Sequence, residues 1–362
     1  MNETLTASRR SLSIDALRGL AATSIVGWHV FRDDLVALAP WLKAPTSVLW
    51  TGVDLFFVLS GFLIGSILIR NREKENFFPA FYGRRVCRIL PMYLVLLFLA
   101  FNLGSAENPI SCLLFLQNFV WSYQDRWGDM LLGPTWSLAV EEQFYLLMPF
   151  LIWFVPKRQL PYWFVGLIIA APITRALCLS YGFQHAAYML LPCRMDSLCL
   201  GTMLAYLFTT NHYREVLHAY RPIIGKLALI FAAGFGYFAY RNTGVFDTFL
   251  VIVGYTWIAV FFALTIAYIM LSEAKFPRVL TPAVWAGLGA YPIYLFHFPL
   301  TYVVGSAVGA INNASAFTIG TLPAYGVYAS VLALVALMSW RLVEHPIIEY
   351  GHKRFKYGWQ PA

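Results

Sequence analysis

Charge is scarce in this chain. Only 12% of its 362 residues are Asp, Glu, Lys or Arg, against about 25% in soluble domains. Apolar residues make up 59% and mean hydropathy is +0.63. No long polar segment separates the apolar runs, so a soluble domain within the chain is not expected. The five cysteines, Cys87, Cys112, Cys178, Cys193 and Cys199, show no metal-ligand spacing and read as packing residues. No short-period repeat is present, which excludes a solenoid. The first apolar run lacks a small-residue cleavage site and carries charge, so it reads as an uncleaved first helix. The net charge of +8 would suit nucleic acid, but the basic residues sit in short loops between apolar runs. Their placement is that of membrane topology, and no nucleic-acid partner is expected.

Ten apolar runs are long enough to span a bilayer: 13–33, 48–69, 89–104, 136–155, 161–178, 188–208, 225–241, 248–271, 283–305 and 318–342. An eleventh, PISCLLFLQNFVW at 109–121, has the length of a re-entrant or interfacial helix. Charge decides the count. With ten spans and a cytoplasmic N-terminus, Arg9, Arg10, Arg70, Arg72, Lys74, Arg84, Arg85, Arg88, Lys157, Arg158, Arg214, Arg221, Lys226, Lys275, Arg278, Lys353, Arg354 and Lys356 are all cytoplasmic. Only Arg32, Lys43, Arg126 and Arg241 fall outside. Counting 109–121 as a span would put Lys157 and Arg158 on the wrong side. The expected fold is an all-α polytopic membrane protein with ten transmembrane helices and both termini cytoplasmic. It forms a single transmembrane domain over 1–362, with a cytoplasmic N-terminus (1–10) and tail (343–362).

The first run, SLSIDALRGLAATSIVGWHVF, holds Asp15, Arg18 and His29. Ionisable groups in a membrane helix are costly unless paired or hydrated, so each is a functional candidate. Arg18 and His29 are eleven residues apart, close to three helical turns, which places them on one face about 16 Å apart. Such a face offers an anion-binding cation at one end and an imidazole at the other. The plainer reading has Arg18 snorkelling and His29 bonded to a neighbouring helix.

Asp54 lies near the outer end of the second run, at the depth of His29. Two readings stay open: it orients the imidazole, or it caps its own helix. Arg85 and Arg88, one turn apart in a basic cytoplasmic loop, suit bidentate phosphate binding as well as lipid-headgroup snorkelling. The outer loop 105–135 and the start of the next run carry Trp121, Tyr123, Trp127 and Trp136, as interfacial anchors or sugar-stacking platforms. Glu141 and Glu142 lie two turns into the fourth run. Adjacent positions diverge by about 100°, so one of them at most faces the His29 cavity. Arg194 and Asp196 open the sixth run and either satisfy each other or bind an acceptor. His297, among aromatics in the ninth, reads as a structurally bonded histidine, and Glu344 as a partner for a cytoplasmic Arg.

The segments IDALRGLAATSIVGWH, GVDLFFVLSGFLIG, RRVCRILPMY, WSLAVEEQFYLL, CRMDSLCLGTMLA, YPIYLFHFPL and RLVEHP occur in this order along nearly the whole chain. In this it resembles the acyltransferase-3 family of integral-membrane acyltransferases, which includes O-acetyltransferases of bacterial surface polysaccharides. The family's Arg, ten residues, His pattern is met by Arg18 and His29, and its Arg-x-x-Arg pattern by Arg85 and Arg88. Its WS…E pattern is met by Trp136, Ser137, Glu142 and Tyr145, with Glu141 adjacent.

The resemblance implies a multi-pass protein of the bacterial cytoplasmic membrane that uses acyl-CoA, commonly acetyl-CoA, as donor substrate. Arg18, Arg85 and Arg88 would hold the CoA phosphates, and the pantetheine arm would run along the first helix. His29 would act as general base, oriented by Asp54, or as a covalent acyl carrier. Glu142 would be a second acid or base. The acceptor, a free or lipid-linked carbohydrate, would enter from the outer half against Trp136, Arg194 and Asp196. No hydrolase domain of the kind fused to some members is expected to follow, and the chemistry is expected to finish within the membrane domain. A secondary transporter or flippase of lipid-linked sugar, and an acyltransferase for a small-molecule or lipid acceptor, are the competing readings.

Overall fold

The computed structural model describes residues 2–104, 108–272, 276–314 and 320–358, with the side chains of 2–11, 314, 321 and 322 left out. The expectations for Lys275 and for the side chains of Arg9 and Arg10 lie outside the described residues. Lipid offers no hydrogen bonds, so a chain this apolar must satisfy its backbone within helices or a closed barrel. The described residues are helical, without a strand. The long helices are α1 (Asn2–Val26), α2 (Gly52–Asn71), α3 (Phe77–Asn102), α4 (Thr135–Phe154), α5 (Leu160–Ser180), α6 (Leu191–Thr209), α7 (Arg221–Arg241), α8 (Tyr255–Met270), α9 (Ala290–Ala314) and α10 (Thr321–Ser339).

Among the described residues, seven helical stretches, covering all or most of α2, α3, α5, α7, α8, α9 and α10, are long and apolar enough to cross a membrane. The three other long helices, α1, α4 and α6, carry Asp15 and Arg18, Glu141 and Glu142, and Arg194 and Asp196. More than half the residues of α4 and of α6 are buried, so their charges face protein rather than lipid. Apolar side chains such as Phe98, Phe154 and Leu229 are exposed on the outside, as a lipid-facing surface requires.

Residues 109–121 do not form one helix. They fold as Pro109–Leu113 and Gln117–Tyr123, each far shorter than a span, with Phe115 between them at φ 54°. Tyr93 Oη donates to the carbonyl of Cys112 at 2.8 Å, and Gln143 Nε2 to that of Phe115 at 2.8 Å, tying this segment to α3 and α4.

Two close helix contacts set the interior. A Cβ on Gly61 would collide with the carbonyl of Leu198, and one on Gly201 with that of Val58, so only glycine lets α2 and α6 lie this close. Likewise, Gly19 of α1 packs against the carbonyl of Ala283, and Gly287 against that of Asp15. The ninth apolar run is broken at that contact into Thr281–Leu288 and α9, with Gly289 between. The chain after α10 makes a π turn (Trp340–Glu344) and a last helix, His345–Arg354. Glu344 accepts from Ser339 Oγ at 2.6 Å, within its own turn. The last helix packs on α3, where Gly351 meets Cys87 and Gly83 lies under the Phe355 ring.

Candidate active site

Two cavities lie back to back between these helices, called inner and outer after the expected topology. The inner one has a volume of about 810 Å³ and is lined by Arg18, Arg70, Arg84, Arg85 and Arg88, with Asp15, Glu141, Tyr145, Tyr291, His352 and Tyr357 also on its wall. The outer one, of about 480 Å³, is lined by His29 and a set of aromatics that includes Trp28, Trp50, Trp127, Trp136, Tyr188 and Phe298. Val53 and Tyr294 line both. The Tyr294 hydroxyl donates to the carbonyl of Pro134 at 2.7 Å and lies 2.5 Å from Ser137 Oγ, which pins the ring across the boundary.

Helix α1 and the π turn that follows it supply one functional candidate to each cavity. Arg18 lies in the inner one, 3.7 Å from Asp15. His29 lies in the outer one, on a π turn (Gly27–Phe31) that interrupts the α-helix. Such turns widen the helix by a residue and recur at functional sites. The inner cavity is strongly cationic. Arg85 and Arg88 both line it, and Arg70 and Arg84 join them. Arg84 Nε donates to the carbonyl of Phe355 at 2.7 Å, and its guanidinium stacks 4.8 Å from the Tyr357 ring. Arg85 Nε is buried without a hydrogen-bond partner among the described residues. A polyanion would satisfy these donors.

Of the two adjacent glutamates, Glu141 lines the cavity wall and Glu142 does not. Ser137, Glu141 and Tyr145 follow one another at four-residue intervals, so they share one face of α4, and Glu142 points about 100° away. Glu141 accepts from Ser60 Oγ at 2.6 Å and from Tyr145 Oη at 3.1 Å. It stands in the inner cavity with Arg18, not in the outer cavity with His29.

Asp54 does not orient His29. It is fully buried and pairs with Arg194, whose Nη1 lies 3.3 Å from Oδ1; Ser197 Oγ donates to the same oxygen at 3.4 Å. Arg194 and Asp196 do not satisfy each other and line neither cavity. Arg194 sits in an aromatic cage, 4.3 Å from the Tyr255 ring, 4.9 Å from Tyr188 and 5.6 Å from Trp136. Asp196 pairs with Arg175 at 2.8 Å and accepts from Thr256 Oγ1 at 2.6 Å. Two positions apart on α6, the two side chains diverge by about 200°, so each charge takes its partner from a different helix. These two ion pairs form a buried lattice joining α2, α5, α6 and α8 behind the outer cavity. Trp136 belongs to both layers: its ring borders the outer cavity and packs 4.8 Å from Tyr188.

Sequence reasoning gave no role to Arg175 or Tyr294. A lone Arg in the fifth apolar run was a usable signal, because such a group must find a buried partner. Tyr294 carried none, as one tyrosine among many.

The seven membrane-length stretches among the described residues, with helices whose charges turn inward, define an integral, multi-pass membrane protein. The chain belongs to the acyltransferase-3 family, whose acyltransferase-domain model matches residues 11–340. The O-acetyltransferase OatA of Staphylococcus aureus (strain NCTC 8325 / PS 47) is 27% identical over 372 residues, covering 95% of this chain and 58% of OatA. OatA of the COL strain matches to the same extent. The chain thus spans somewhat over half the length of these relatives. No solved structure matches it.

Proposed function

We propose that this protein is an O-acyltransferase that moves an acyl group, acetyl in the first instance, from acyl-CoA to a sugar hydroxyl across the Val53–Tyr294 boundary. The observation that carries this reading is the pairing of a five-arginine cavity with a histidine-bearing aromatic cavity through shared wall residues. The relatives named as O-acetyltransferases support the acetyl group. In this reading the chain has ten spans with both termini cytoplasmic, so the inner cavity opens to the cytoplasm, where acyl-CoA is found. It acts in the cytoplasmic membrane of a bacterium.

Arg85 and Arg88, with Arg18 deeper along α1, hold the phosphates of the donor. The pantetheine arm passes Glu141 and Tyr145 and brings the thioester to Tyr294. The acceptor stacks on the aromatics of the outer cavity, Trp136 among them; a carbohydrate presents apolar ring faces and hydroxyls that suit such a wall. His29 takes the proton of the attacking hydroxyl. The oxygen forms a bond to the thioester carbonyl carbon, the carbon–sulfur bond breaks, and CoA leaves as the thiolate. With Glu142 turned from the cavity and Asp54, Arg194 and Asp196 in the buried lattice, the reaction rests on His29 and the arginines.

The experiment is transfer of radiolabelled acetyl from acetyl-CoA, by protein in nanodiscs without an ion gradient, to a panel of glycan acceptors. Release of CoA matched by acetylated glycan is the expected result. Binding of the glycan without consumption of acetyl-CoA would favour a transporter instead.

A further inference from the structure

The imidazoles of His29 and His297 are joined ring to ring. His297 Nε2 lies 3.1 Å from His29 Nδ1, and the rings stack with centroids 5.1 Å apart at 27°. The far nitrogen of His297 settles which way this bond runs. Its Nδ1 lies 2.6 Å from the carbonyl oxygen of Tyr294. A carbonyl only accepts, so Nδ1 of His297 carries the proton, and in a neutral ring Nε2 is then an acceptor. His29 must therefore donate from Nδ1, which leaves its own lone pair on Nε2.

His297 is fixed on every side. It is fully buried, and its backbone carbonyl accepts from Thr301 Oγ1 at 2.7 Å and Tyr328 Oη at 3.0 Å. Phe298 packs edge-on against both rings, with centroids 4.8 Å from His29 and 5.1 Å from His297. A ring held this firmly can set the orientation and tautomer of the one it touches.

We propose that His297 is a positioning residue that holds His29 as its Nδ1–H tautomer, with the basic Nε2 free for the acceptor hydroxyl. The proposal rests on the reading of His29 as general base. It replaces the carboxylate usually sought beside a catalytic histidine with a neutral acceptor. When His29 takes the substrate proton on Nε2, the bond to His297 becomes charge-assisted and strengthens as the transition state forms. The Tyr294 carbonyl anchors the pair, so the residue that closes the boundary between the cavities also aligns the base.

The test uses the full chain in nanodiscs, acetyl-CoA as donor, and two variants of His297. In His297→Gln the terminal oxygen reaches the position of Nε2 and can accept from His29. In His297→Asn the side chain reaches only the Tyr294 carbonyl. The Asn variant should lose about 10²–10⁴-fold in kcat, the contribution of a well-placed base, with the KM for acetyl-CoA unchanged. The Gln variant should recover most of that loss. In parallel, 15N spectra of histidine-labelled protein, assigned by the signals missing from His29→Ala, should report His29 protonated at Nδ1 in the native and Gln proteins. The Asn variant should lose that preference. A merely structural role would lower folded yield in both variants without changing the tautomer. An Nε2–H His29 in the native protein, or near-native turnover of the Asn variant, overturns the proposal. If the spectra behave as expected while His29→Ala still turns over normally, the pairing stands and the base assignment fails.

Discussion

The hydroxyl of Tyr294 lies 2.5 Å from that of Ser137, at the wall shared by the inner and outer cavities. With Val53, this side chain separates the two cavities, which under the proposed function hold a phosphate-rich donor and an acceptor. Its removal should join them. In Tyr294→Ala, water gains access to the thioester, so release of CoA without acceptor should rise several-fold while acetyl transfer falls. Tyr294→Phe keeps the ring and should show much smaller leakage. Thiol-trapping of released CoA, with and without glycan, reads both quantities. Tight coupling in the Ala variant would mean that the ring is not the barrier.

The arginine pair gives a second prediction. A hydrogen bond to a charged group contributes about 1.5–3 kcal/mol, so Arg85→Ala or Arg88→Ala should weaken acyl-CoA binding by roughly ten- to a hundredfold. Replacement by Lys should recover little, because the charge remains but the planar fork is lost. Acceptor affinity should hardly change, since neither residue lines the outer cavity. Titration of purified variants with acyl-CoA at fixed salt is the measurement. Unchanged donor affinity in both would leave them as lipid-anchoring residues.

The buried lattice makes a prediction about stability rather than chemistry. Asp54→Asn leaves the Arg194 guanidinium, fully buried, without its counter-charge. Breaking one side of a buried pair costs about 3–5 kcal/mol, so folded yield and thermal midpoint in detergent should both drop. A double change, Asp54→Leu with Arg194→Met, should recover much of that loss, because neither partner is then orphaned. If Asp54→Asn instead folded normally and lost only turnover, the aspartate would belong to the reaction.

What the sequence made legible follows from local geometry. The spacing of Arg18 and His29 along one helix, the single turn between Arg85 and Arg88, and the shortness of 109–121 are properties of the nearby chain. Partner choice is not. Asp54 and Arg194 are far apart in sequence and meet only because Gly61 and Gly201 let α2 and α6 close on each other. Asp196 and Arg175 meet across the contact of α6 with α5, on the opposite side of α6. The choice between Glu141 and Glu142 depended on helical phase. The four-residue step from Ser137 to Glu141 contained that answer, but only if Ser137 was known to face the cavity. His297 was read as a bonded histidine, and it is one; that its partner is His29 came from tertiary packing alone.

The central claim is that His29 performs the chemistry and the inner cavity performs donor binding. The direct measurement compares native protein and His29→Ala in nanodiscs, scoring acetyl transfer and acetyl-CoA affinity on the same preparation. Transfer should fall by about 10²–10⁴-fold, and acetyl-CoA affinity should stay near the native value, because Arg18, Arg85 and Arg88 are untouched. Near-native transfer by the Ala variant would contradict the account.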